Sequence, residues 1–114
     1  METYPLVLLA NEPGTYRSLL ATELPILRPN LRILEINPAD LDSAVIYHRP
    51  AVVICSRVLE KAHDIEFAIL LLYPEGADTL IQPVVDGTDQ EMVSPRLSDL
   101  LRALDGAIPL RQAS

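Results

Sequence analysis

Two side chains in this sequence have the chemistry of a nucleophile and stand side by side: Cys55 and Ser56, at the end of the apolar run Ala51 to Cys55. Either would need a base within hydrogen-bond reach, and His48 and His63 are the two imidazoles present. A cysteine that closes a buried strand is more commonly a small apolar filler, and that is the role expected of Cys55. A different kind of chemistry is offered by Asn11, Glu12, Ser56, Arg57 and Tyr73, polar or aromatic residues placed where apolar runs end. In open α/β sheets such positions surround one crevice beyond the carboxyl ends of the strands, where a small anion or polar ligand would find Arg57 as its charge partner. The competing expectation is that Asn11 and Ser56 satisfy loop amides and Arg57 pairs with Glu12. Acid-base pairs can be assembled on paper from the seven carboxylates between residues 62 and 95, but an exposed acidic surface accounts for them more simply. No Gly-x-Gly-x-x-Gly and no phosphate-cradling Gly-rich loop is present. No Cys/His cluster offers four zinc ligands, so no metal and no cofactor are expected.

The elements that must carry these residues follow from hydrophobic periodicity. Leu6 to Ala10 is uniformly apolar and bounded by Asn11-Glu12-Pro13-Gly14, the pattern of a strand buried on both faces. Tyr16, Leu19, Leu20, Leu24 and Leu27 then recur at helical spacing, with Pro25 expected to kink or end the helix. Leu31 to Ile36 forms a second strand. Asn37-Pro38-Ala39-Asp40 starts a second helix by capping, proline placement and dipole, and Arg49-Pro50 stops it. Ala51 to Cys55 is a third strand and Phe67 to Tyr73 a fourth. Only Pro74 to Asp78 separates the fourth strand from Thr79 to Val85, too short for a parallel crossover, so those two runs should be antiparallel if they pair. Pro83 directs the second of them to the sheet edge, and Asp86-Gly87 turns it towards a strand at Gln90 to Val93. Ser94-Pro95 opens a last helix whose stripe of Leu97, Leu100, Leu101 and Leu104 ends at Gly106, with the chain frayed after Ala107.

The expected fold is therefore α/β over 1–114 as a single domain: a three-layer, doubly wound sheet with four parallel strands, an antiparallel hairpin over 79–93 and a terminal helix over 95–105.

Two segments carry a resemblance. LVLLANEPGTYRSLL resembles the opening of a response-regulator receiver domain, a flavodoxin-like fold, and HRPAVVICSR resembles the stretch around its third strand. The similarity covers about residues 5–58. It implies that the family's two Mg²⁺-holding acids fall on Ala10 and Asn11, its acceptor Asp on Ser56, its switch hydroxyl on Tyr73 and its Lys-Pro on Gln82-Pro83. Every one of those chemical positions differs here. Mg²⁺ takes charged oxygen ligands, so metal-assisted acyl-phosphate formation should be lost. The sole lysine, Lys61, lies in the loop after the third strand, and the family's fourth helix has no segment to occupy. The resemblance thus implies a pseudo-receiver: a non-catalytic regulatory or scaffold module in signalling that acts by protein binding. A small-ligand or anion sensor using the crevice is the alternative.

Charge narrows the partners. Nine Lys and Arg against sixteen Asp and Glu leave a net charge of −7 in 114 residues. Residues 62–114 hold nine of the acids and three arginines, so most of the excess lies there. Such a stretch cannot release counterions from nucleic-acid phosphates and would be repelled by an anionic membrane. An aromatic content of 4% without Trp also disfavours a base-stacking platform. The lone Cys55 forms no internal disulfide, the acidic N-terminus lacks signal-peptide regions, and no apolar run approaches ~18 residues, so a cytoplasmic location is expected. A protein partner is the expectation. A homodimer formed by strand addition is one mode, with Thr79, Ile81, Pro83 and Val85 as the interface edge.

Overall fold

A computed structural model of the chain describes residues 4–57, 67–74, 77, 79–83 and 89–112. The expected runs become β1 (Leu6–Ala10), α1 (Gly14–Leu27), β2 (Arg32–Glu35), α2 (Leu41–His48), β3 (Val52–Cys55), β4 (Ala68–Leu72), β5 (Thr79–Pro83), β6 (Asp89–Val93) and α3 (Leu97–Gln112). They build an α/β fold around one mixed sheet of order β2-β1-β3-β4-β5-β6.

β1 has a hydrogen-bonded neighbour on each side and a helix layer over each face, which is why all five of its residues are buried. Alternation sorts them. Val7 and Leu9 pack with Leu20 and Leu24 of α1 and with Leu100 and Leu104 of α3. Leu6, Leu8 and Ala10 pack with Leu41, Ala44 and Val45 of α2. Each such Leu or Val contributes about 1.5–3 kcal/mol by leaving water. A uniformly apolar strand therefore belongs in the interior of the sheet, as β3 does beside it.

Pro25 does not end α1. The helix continues to Leu27 because Leu24, fully buried, holds the last turn against the sheet and its carbonyl accepts the Arg28 amide at 2.8 Å. The second helix starts as capped: the Asn37 Oδ1 accepts the Ala39 amide at 3.0 Å, but one 3-10 turn, Pro38–Asp40, intervenes before α2. Arg49 then takes a left-handed φ of 48° and closes on the Val45 carbonyl, so the helix stops before Pro50.

α3 differs at both ends from the expected 95–105. It begins at Leu97, with the Asp99 carboxylate accepting the Arg96 amide at 2.8 Å, one half of a capping box. It passes through Gly106 because Ala107 and Ile108 extend the buried stripe of Leu100, Ala103 and Leu104, and that burial outweighs the helix-breaking tendency of one glycine. The fraying expected after Ala107 is therefore corrected.

The short turn after β4 does force an antiparallel partner: Leu71 faces Ile81 and Leu72 faces Leu80. The expectation that Thr79 to Val85 forms the sheet edge is wrong. β5 lies between β4 and β6, which pairs with it from Thr79↔Val93 to Pro83↔Asp89 and is itself one of the two outer strands. Pro83 is tolerated there because the β4 ladder covers only Leu80 and Ile81, so at Pro83 the strand has a partner on one side alone. The interface proposed on Thr79, Ile81 and Pro83 thus loses its edge, and Val85 lies outside the described residues, as do His63 and Lys61.

Candidate functional site

The carboxyl ends of β1, β3 and β4 bring Asn11, Glu12, Ser56 and Tyr73 to one end of the sheet, as expected. Ser56 is the joint between them. Its hydroxyl accepts the Glu12 amide at 2.8 Å and donates to the Leu72 carbonyl at 2.7 Å, tying the loop after β1 to the last residue of β4. Both of its hydrogen-bonding roles are thereby spent on backbone. Among the described residues no base is bonded to it.

Arg57 does not serve the crevice. Its guanidinium donates to the Pro38 carbonyl at 3.0 Å and lies 3.9 Å from an Asp42 oxygen, so it braces the start of α2 and leaves Glu12 alone. Arg17, which the sequence did not single out, takes the place nearest the loop. Its Nη1 donates to the Asn11 carbonyl at 3.2 Å and its Nε to Glu35 at 3.1 Å, where Ser18 also donates. The only advance signal was Arg17's helical position one turn from Glu12 to Gly14, which says nothing about Glu35 on another strand.

Asn11 is fully buried, and among the described residues neither amide atom of its side chain has a hydrogen-bond partner. It therefore does not satisfy a loop amide. Buried unpaired polar atoms are rare and costly, of the order of 1–3 kcal/mol each. Tyr73 takes a left-handed φ of 53° at the turn after β4, and its amide donates to the Thr79 carbonyl at 2.8 Å. Its ring lies 5.8 Å from that of Tyr16, a second residue the sequence left unassigned. Burial, and then the neighbouring Tyr73, push the Tyr16 phenol up from its ordinary value.

Cys55 is buried, and its thiol donates to the Arg57 carbonyl at 3.2 Å. Desolvation pushes it up to about 11, against smaller downward effects of the Arg57 backbone and of the Arg57 charge. At neutral pH it is a thiol rather than a thiolate, as suits a core filler. His48 lies at the end of α2 with its ring edge-on to Tyr47 at 4.7 Å. It has no hydrogen bond to the thiol.

Among the described residues no group of three or more His, Cys, Asp or Glu could hold a metal ion, and no helix is long and apolar enough to cross a membrane. Comparison with protein-family models, with curated proteins and with solved structures finds no match to the chain.

Proposed function

We propose that this protein is a receiver-like regulatory module that works by protein-protein contact and not by phosphoryl transfer. The observation that carries the reading is the state of Ser56. It stands at the position the resemblance assigns to the phospho-accepting carboxylate, and its hydroxyl is consumed between the Glu12 amide and the Leu72 carbonyl. Beside it, Asn11 brings an uncharged amide where a hard cation would require carboxylate. A strand order beginning 2-1-3-4, with helices on both faces, supports a doubly wound, flavodoxin-like scaffold. Scaffold without chemistry is the signature of a module that signals through its surface.

The test is intact-mass analysis after incubation with acetyl phosphate and Mg²⁺. The mass is expected to stay unchanged, and a stoichiometric Mg²⁺-dependent phosphoryl adduct overturns the reading.

A second reading, a small-ligand sensor in the crevice, is favoured by one observation, the unpartnered amide of Asn11. It requires a saturable thermal shift with phosphate, a carboxylate or a nucleotide that disappears in Asn11→Ala. If no such shift occurs, this second reading is removed and the first stands.

A further inference from the structure

Away from the crevice, a groove of about 510 Å³ runs between the end of β2 and α2. Its apolar lining includes the buried Ala44 and the half-buried Ile36, enough to take the methylene stem of a long side chain. Its charged lining is acidic. The Asp40 carboxylate makes no hydrogen bond or ion pair among the described residues, and Glu35 engages Arg17 and Ser18 through one oxygen only. No Lys or Arg lines the groove.

Its aromatic wall is Tyr47. Tyr47 is 83% exposed, and its ring and that of His48 meet in a T-shaped contact at an interplanar angle of 84°. Its exposed ring offers π surface to a cation in a groove that the Asp40 carboxylate also lines. β2, which leads into the groove, is the outer strand at the edge opposite β6, so an extended segment can approach along it without displacing a neighbour.

We infer that this groove is a docking site for an arginine side chain presented by a partner protein, the stem lying over Ile36 and Ala44, the guanidinium reaching Asp40 and stacking on Tyr47. Arginine fits better than lysine because its planar, weakly hydrated head can stack on the ring and bond the carboxylate at once. The inference rests on the reading of the chain as a protein-binding module and names the chemistry of the partner.

The experiment is a two-dimensional NMR titration of the full ¹⁵N-labelled chain with acetyl-Ala-Arg-Ala-amide, alongside the same peptide carrying lysine or the neutral isostere citrulline. Saturable shifts are expected at Asp40, Ser43, Ala44 and Tyr47, weaker with lysine and absent with citrulline. Tyr47→Ala should weaken binding about two- to five-fold, and Asp40→Asn by about the same factor. Both positions are exposed, and an unchanged amide spectrum elsewhere reports that the variants fold. The absence of saturable shifts, equal binding of citrulline, or insensitivity to both substitutions overturns the proposal. Phosphorylation by acetyl phosphate is read separately, so the general reading and this one fail independently.

Discussion

The hydroxyl of Ser56 and the carbonyl of Leu72 meet at 2.7 Å, joining the end of β3 to the end of β4, and the same oxygen receives the Glu12 amide at 2.8 Å. Ser56→Ala removes both bonds and leaves a partly buried carbonyl without its donor. The expected loss is about 1–2 kcal/mol of unfolding free energy, measured by urea denaturation. An unchanged midpoint would mean that water replaces the hydroxyl without cost.

Asn11 predicts the opposite sign. Leucine has the same branched, four-heavy-atom side chain and no polar atoms, so Asn11→Leu should stabilise the protein by about 1–3 kcal/mol by removing two buried unpaired groups where its larger methyls fit. Loss of stability in the same urea assay would show that the amide is satisfied by something bound there.

Cys55 should resist alkylation in the native state near pH 8, because its thiol is buried and pushed up to about 11. In the unfolded chain the thiol titrates near 9.0. Between these values the unfolded state binds fewer protons than the folded one, so this group's contribution to stability is complete below about pH 9 and is lost as the pH rises towards 11. Iodoacetamide labelling followed by mass spectrometry should therefore track unfolding. Fast labelling of the folded protein at pH 8 would refute the assignment as filler.

Gly106 lies inside α3, where an added Cβ would meet nothing within 4 Å. Gly106→Ala should raise stability by about 0.5–1 kcal/mol, since alanine loses less backbone freedom in a helix. Destabilisation in a thermal melt would place Gly106 outside the helix, at a left-handed stop.

Asp105 joins α3 to the end of α1 through two bonds from Arg28, at 2.7 and 2.6 Å. These hydrogen bonds hold its carboxyl below the ordinary carboxylate value. A lowered folded value gives stability that is present above the unfolded carboxylate pKa and lost as pH falls through the folded one. Asp105→Asn should thus be less stable than the parent at pH 6, and the gap should narrow towards pH 2 in parallel urea melts. A gap independent of pH would assign the effect to packing.

Much of the architecture was legible in the chain. Buried strands announce themselves by uninterrupted apolar residues, as in Leu6–Ala10 and Val52–Cys55, and the six residues between β4 and Thr79 were too few for anything but an antiparallel return. The failures have local causes. Pro25 and Gly106 were read by their intrinsic tendencies, but Leu24, Ala107 and Ile108 are held by burial, and packing outweighs propensity. Pro83 was read as an edge residue, although a ladder that stops at Ile81 on one side gives proline its place inside the sheet. Among the site residues, the convergence of Asn11, Ser56 and Tyr73 followed from strand ends, whereas the partners of Arg57 and Arg17 did not.

By itself the sequence determined the strand and helix segments, the lack of a carboxylate at Ala10, Asn11 and Ser56, and the concentration of negative charge in residues 62–114, because each of these depends on residue type and near-neighbour spacing. Only the tertiary structure decided that Ser56 is bonded on both sides, that Asn11 is buried with no side-chain partner among the described residues, that β6 and not β5 is an outer strand, and that an exposed Tyr47 lines one groove with Asp40. Most of these depend on groups distant in the chain and on which surfaces water reaches after packing, and one-dimensional spacing records neither.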